Sequence, residues 1–126
     1  FSGPAETVIA PGELGELGIL PRHSQLLTRL KPGQVRVRLL GGEEQLFYVS
    51  GGLLEVQPHV VTILSDTAER AKDLDEVAAQ AAKQRAEQVI ADSRSEFEFA
   101  RAKAELAEAV AQLRTIEQLR KLRKSA

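Results

Sequence analysis

Cysteine is absent from the 126-residue chain, so disulfides, thiolate metal ligands and cysteine nucleophiles are excluded. No apolar run approaches the roughly 20 residues that a membrane helix needs, and the chain does not open with a signal-peptide pattern. The formal net charge of −1 gives no bulk attraction to nucleic acid or acidic membranes. We therefore expect a soluble or peripheral protein, compatible with a reducing compartment.

Glycine and proline are missing from the second part of the chain, and this divides it in two. Up to about residue 70 both residues recur between short segments rich in valine, leucine and isoleucine, a pattern typical of strands. Beyond residue 72 alanine, glutamate, glutamine, lysine and arginine dominate, and these favour helix. We predict a β domain over residues 1–70 and an α-helical hairpin, the helical arm, over residues 71–126.

Short apolar segments predict the strands of the first part. Val35, Val37 and Leu39 alternate with arginines, so one face of that strand should point inward and the other to water. Gly41 and Gly42 read as a hairpin turn. Many short strands without intervening helices predict an antiparallel, flattened β sandwich or barrel. The candidate strands cover residues 7–10, 34–39, 45–49, 53–56 and 60–64.

The helical arm should contain two antiparallel helices. Asp73 and Glu76 are spaced as a capping box, and residues 92–95 (Asp-Ser-Arg-Ser) interrupt the helical pattern. The predicted seam is mostly alanine, so it buries little apolar surface and should hold weakly. A movable arm and a static coiled coil both fit this pattern. The seam residues are Leu74, Ala78, Ala81, Ala82, Arg85 and Val89 in one helix and Ala100, Ala104, Ala107, Val110, Leu113, Ile116 and Leu119 in the other.

The end of the arm is basic, with five cations against Glu117 over residues 114–126. Cations at a helix C-terminus complement the helix dipole, and they also suit an acidic partner surface. Both explanations stay open on the charge pattern. The cations are Arg114, Arg120, Lys121, Arg123 and Lys124.

Catalytic and metal-binding patterns are not found. His23 and His59 lie far apart without companions at metal-ligand spacing, and Ser50 before Gly51 and Gly52 reads as a tight bend rather than a nucleophile elbow. No glycine-rich phosphate loop occurs. We predict no catalytic residues and no metal site. Two rivals remain: a binder of nucleic acid or acidic protein through the basic end, and a small hydrolase centred on His23.

Three ordered blocks resemble the epsilon-subunit family of bacterial F-type ATP synthases: GELGILPRHSQLLTRLKPGQVRV (15–37), YVSGGLLEVQPHVVTILSDTAERAKDLDE (48–76) and AELAEAVAQLR (104–114). The resemblance implies a flattened ten-stranded sandwich followed by a helical hairpin, with a first strand missing ahead of Phe1. It also implies a non-catalytic rotor subunit that couples proton-driven rotation to ATP synthesis. The mitochondrial counterpart of this subunit is a lesser alternative.

The resemblance further implies partners and a location. A contact loop around Glu13, Glu16, Leu17 and His23 would face the polar loops of the c ring, although Glu16 and His23 also suit local turn hydrogen bonds. Other surfaces would pack on the gamma subunit. The arm would extend to the alpha and beta subunits, and its five cations would meet an acidic beta region and block ATP hydrolysis. No nucleic-acid partner is expected, and the protein would be peripheral on the cytoplasmic face of the bacterial plasma membrane.

Some family members also bind ATP at the folded hairpin. The matching positions here are Glu69, Leu74, Asp75, Arg85 and Arg114. Two arginine positions of the motif are occupied by Ala78 and Val110, which removes two cations that would pair with phosphates. We expect ATP binding to be weak or absent, and no other cofactor.

Overall fold

A computed structural model describes residues 1–125, in which eight strands precede two helices; Ala126, the last residue of the predicted helical arm, lies outside the described residues. The strands are β1 (Thr7–Gly12), β2 (Gly15–Ile19), β3 (Leu26–Leu30), β4 (Gly33–Arg38), β5 (Glu44–Val49), β6 (Gly52–Val56), β7 (Val61–Leu64) and β8 (Ala68–Arg70). A 3-10 turn (Ala71–Asp73) then leads into α1 (Glu76–Asp92) and α2 (Glu96–Ser125).

All strands pair antiparallel in one sheet of order β7-β6-β3-β1-β4-β5-β8, with β2 paired to β1. The sheet curls, because side chains from strands far apart in this order meet in one core that includes Val35, Val49, Leu54 and Val56. The predicted fold class, an antiparallel β unit followed by a helical hairpin, is confirmed. The described residues form eight strands, where the resemblance implied ten.

The β4–β5 hairpin is buried on both faces. Val35, Val37 and Val49 point into the core, whereas Leu46 and Tyr48 point to the opposite face, where α2 packs on these strands. The expectation that the arginine face of β4 points wholly to water was therefore wrong. The Arg36 side chain is only 29% exposed, because the helices cover part of that face.

Three strands were not predicted, and one of them changes a prediction. The segment from Gly15 to Ile19 was interpreted as a loop for contact, but it is strand β2, in register with β1 through pairs such as Ala10 with Leu17. β3 and β8 were also missed. The turn at Gly41-Gly42 lies where the sequence analysis predicted it, between β4 and β5.

The helix boundaries correct one cap and confirm one break. Asp75, not Asp73, caps α1, since its Oδ1 accepts a hydrogen bond of 3.0 Å from the Ala78 amide. Asp73 belongs to the 3-10 turn, and Leu74 after it is extended. The predicted interruption is confirmed: α1 ends at Asp92, and the hydroxyl of Ser95 accepts from the Glu98 amide at the start of α2.

The seam between the helices is alanine, as predicted, but in another register. Ala79 and Ala86 are buried on α1, and Ala102 and Ala109 on α2. Of the predicted seam residues, Ile116 is buried, whereas Ala78, Val89, Ala100, Ala104 and Ala107 are exposed. Alanines lie on several faces of each helix, so their spacing does not show which face is buried. In addition, α2 packs against two neighbours, the sheet and α1.

Candidate functional site

The predicted site residues lie in separate parts of the molecule: the β1–β2 hairpin, the turn after β2, and the arm. Within residues 1–125, no three histidine, aspartate or glutamate side chains come together as a metal-binding group. None of the helices described for this chain is long and apolar enough to cross a membrane. We therefore consider the exposed surfaces as interaction sites.

The β1–β2 hairpin carries three of the four residues predicted to face the c ring. Its two-residue turn places Glu13 and Leu14 at the tip, and Gly15, with φ +143°, completes the reversal of the chain. Glu13 and Glu16 are exposed, whereas Leu17 packs against the core. The Glu13 amide donates a 3.0 Å hydrogen bond to the Arg29 carbonyl, which ties the tip to β3.

Leu14 was missed by the sequence reasoning. Its side chain is completely exposed, at 103% of the reference area, between the two carboxylates of the tip. Its exposure depends on the two-residue turn between β1 and β2, which the sequence analysis did not predict because β2 was interpreted as a loop. The tip therefore combines one apolar and two acidic side chains on a rigid hairpin.

His23 lies in the turn that follows β2 and is half-buried. Its ring Nδ1 donates a 2.7 Å hydrogen bond to the Ser24 carbonyl, and its amide donates to the Leu20 carbonyl at 3.2 Å. These bonds agree with the local turn role that the sequence left open. The hydrolase alternative gains no support, because the ring nitrogen bonds a backbone carbonyl rather than an orienting carboxylate.

A leucine face, defined by Leu27, Leu53 and Leu64, lies on the outer side of β3, β6 and β7. Strand register places these side chains together, because Leu53 pairs with Leu64 on β7 and with Arg29 on β3, two residues from Leu27. Their exposed fractions are 68%, 44% and 65%. The sequence analysis did not predict the leucine face, because this face is formed by the pairing of three strands.

The docking of α2 on the sheet centres on Tyr48, which is 1% exposed. Burial raises the pKa of Tyr48 to about 12, Glu108 adds to the rise, a hydrogen bond from the Gln112 amide opposes it, and Glu69 adds further. Burial also raises the pKa of Glu108, with repulsion from Glu105 and Asp66 contributing. Several carboxylates therefore lie beside the apolar contact between α2 and the sheet.

One cation at the basic end of the arm contacts the other helix of the hairpin. Arg120 of α2 forms an ion pair with Glu76 in the first turn of α1, and its second nitrogen lies 3.9 Å from Glu117. The other predicted cations, Arg114, Lys121, Arg123 and Lys124, are exposed on α2. The acid at the start of α1 was not considered as a partner from the sequence.

The predicted nucleotide-binding residues are spread along the arm and its entry. Glu69 lines the concave face of the sheet, a space of about 1330 Å³, but Leu74, Asp75, Arg85 and Arg114 do not line it. The Asp75 carboxylate caps α1, and both arginines are exposed. In the folded hairpin these positions therefore supply a helix cap and exposed charged side chains.

Comparison with known families gives two matches that together cover most of the chain. Residues 1–71 match the family described as ATP synthase, Delta/Epsilon chain, beta-sandwich domain. Residues 67–117 match the family described as ATP synthase, Delta/Epsilon chain, long alpha-helix domain. Both descriptions agree with the β unit and the two helices seen in the structure.

Curated relatives carry the same name. The ATP synthase epsilon chain of Nitrosococcus oceani is 61% identical over 96% of this chain and 86% of the relative. The ATP synthase epsilon chain 1 of Methylococcus capsulatus is 62% identical over the same shares of the two chains. A chain of the Euglena gracilis mitochondrial ATP synthase, OSCP/F1/c-ring, has the same fold, with a TM-score of 0.79 at 23% identity over 88% of this chain and 69% of its own.

Tyr48 is the one tyrosine of a chain without tryptophan, so its ionisation reports on α2 docking. We expect an ultraviolet titration to give a midpoint of about 12 rather than the ordinary 10.0. Because the folded protein holds this proton more tightly, stability should fall as the pH rises from about 10 to about 12. Glu108→Gln should lower the midpoint, whereas Glu87→Gln, an exposed change on α1, should leave it unchanged. A wild-type midpoint near 10 would contradict the docking described here.

Proposed function

The chain belongs to the Delta/Epsilon chain family of ATP synthase and is a non-catalytic, central-stalk subunit of that complex, and from this premise we propose how its surfaces act. The β unit, residues 1–70, joins the gamma subunit to the c ring. The helical arm, residues 71–126, reaches the alpha and beta subunits when it extends, and there it inhibits ATP hydrolysis. The complex holds the chain peripherally at the cytoplasmic face of a bacterial plasma membrane.

The observation that carries this proposal is the leucine face. Three leucines that are 44% to 68% exposed lie side by side on one sheet surface, and clustered exposed apolar residues mark contact sites between proteins. Arg29 and Glu55 share this surface by strand register, so charges of both signs flank the leucines. An apolar centre with a polar surround is the usual composition of a protein interface. We assign this face to gamma.

The β1–β2 tip is suited to the c ring. Its two exposed carboxylates, Glu13 and Glu16, would pair with basic groups in the polar ring loops, and Leu14 would supply apolar contact. The paired strands behind the tip hold it rigid, which reduces the entropy lost on docking. His23 contributes indirectly, by closing the turn after β2.

The arm carries what an inhibitory extension requires. Its buried seam is alanine, which stabilises the closed hairpin less than leucine would. Its last turns present Lys121, Arg123 and Lys124 to solvent, where they would meet an acidic beta region. Opened into one helix, about 50 residues would reach on the order of 75 Å.

For gamma binding, Leu53→Ser should weaken the complex about tenfold, because it removes apolar burial from the centre of the leucine face. The matched control is Leu40→Ser. Leu40 is 67% exposed but follows β4 and lies outside the leucine face. Affinity for purified gamma is measured by calorimetry, with thermal unfolding to verify the fold. Equal losses in both variants would refute the assignment.

For inhibition, replacing Lys121, Arg123 and Lys124 by glutamine in the full chain should weaken inhibition of ATP hydrolysis roughly fivefold, given the modest strength of exposed ion pairs. The control replaces Lys83, Arg94 and Arg101, which lie elsewhere on the arm, and should inhibit like wild type. A chain ending at Ala71 should release inhibition fully, but it also uncovers Leu46 and Tyr48, so gamma binding is measured beside it. Unchanged inhibition in the triple variant would overturn the role of the basic end.

For ATP, titration of the chain should give no binding in the micromolar range, because Ala78 and Val110 replace cations of the motif. Each charge-assisted contact is worth about 1.5–3 kcal/mol, so Ala78→Arg with Val110→Arg should strengthen binding at least tenfold. The control Ala107→Arg, at an exposed position of α2, should not. A micromolar dissociation constant for the wild-type chain would show the proposal to be wrong.

A further inference from the structure

The Glu76–Arg120 ion pair lies at the open end of the helical hairpin. The chain itself joins α1 to α2 at residues 93–95, so the helices cannot separate there. At the other end, Glu76 begins α1 and Arg120 lies in the last two turns of α2. This pair therefore connects the helices where covalent connection is lacking.

Arg120 has a second acidic neighbour, and the two acids differ in one respect. Glu117 lies on α2, three residues before Arg120, so it stays beside Arg120 whether the hairpin is closed or open. Glu76 lies on the other helix and is near Arg120 only when the hairpin is closed. Only the Glu76 contact depends on the conformation of the arm.

We infer that Glu76 is an internal competitor for Arg120, which stabilises the closed hairpin and withholds this guanidinium from an acidic partner surface. The inference rests on the proposed function, in which the arm extends and its basic end meets such a surface. In the closed hairpin one terminal nitrogen of Arg120 binds Glu76, and the other lies 3.9 Å from Glu117. The nitrogen that binds Glu76 cannot at the same time pair with a carboxylate of a partner. Opening the hairpin therefore exchanges one carboxylate partner of Arg120 for another.

The Glu76–Arg120 pair favours the closed hairpin only modestly over the open one. The Arg120 and Glu76 side chains are 54% and 40% exposed, and ion pairs in contact with water are weak. We expect loss of the pair to change the ratio of closed to open hairpins about two- to fivefold. Such a change suits an arm that must both close and extend.

The test measures hairpin opening directly in the assembled ATP synthase. The chain has no cysteine, so Gln84→Cys and Ala104→Cys, both at exposed positions, can carry a pair of spin labels. In one continuous helix these positions are about 30 Å apart, whereas the closed hairpin holds the two helices side by side. Glu76→Gln should increase the long-distance population two- to fivefold, whereas the matched change Glu117→Gln should not. Equal populations in wild type and Glu76→Gln would overturn the inference.

A double-mutant cycle separates the ion pair from the effect of Glu76 on its own helix, where an acid in the first turn favours α1. With Arg120→Gln already present, Glu76→Gln should cause no further opening. An unchanged effect of Glu76→Gln in that background would assign it to the helix end and refute the competition.

Inhibition of ATP hydrolysis is recorded on the same samples as a separate measurement. Glu76→Gln should strengthen inhibition and Arg120→Gln should weaken it, although each removes one member of the same pair. If the label distances respond to Glu76→Gln but inhibition does not, the inhibitory function of the arm fails while the ion-pair equilibrium stands.

Discussion

The β4–β5 hairpin must be covered on both faces, and the remaining structure follows from this constraint. Val35, Val37 and Val49 belong to the core inside the curled sheet, while Leu46 and Tyr48 are buried on the outer side. Apolar surface returned to water costs about 25 cal/mol per Å². α2 is therefore part of the closure of the β unit, and the arm cannot leave unless contacts elsewhere offset the exposure of these side chains.

Electrostatics works against this apolar contact. Glu108 on α2 faces Asp66 from the β7–β8 connection, and Glu69 on β8 pairs with Tyr48 across the sheet edge. Burial raises the pKa values of both Tyr48 and Glu108, and the neighbouring carboxylates raise them further, because like charges close to a partly desolvated surface repel more strongly than in open water. Apolar burial holds α2 in place, and the surrounding carboxylates reduce the net strength of that contact.

Sequence reasoning succeeded where the signal is local. Strands with alternating valines, such as β4, the turn at Gly41-Gly42 and the helical break at residues 92–95 follow from neighbouring residues alone. β2 and β3 were missed because glycines in β2 and the polar Thr28-Arg29 pair in β3 obscure the alternation. The leucine face and the Glu76–Arg120 pair depend on strand register and on helix packing. Residues distant in sequence form these two features, so no single segment of the sequence predicts them.

The two interfaces of α2 differ in what they bury, and this difference indicates an order of separation. At the interface between the two helices, α1 buries Ala79 and Ala86, and each contributes one methyl group worth about 0.8 kcal/mol. Toward the sheet α2 covers Leu46 and Tyr48, side chains that bury several times more apolar area. α1 should therefore part from α2 before α2 leaves the sheet. The Glu76–Arg120 pair strengthens the weaker of the two interfaces, at the end of the hairpin where separation would begin.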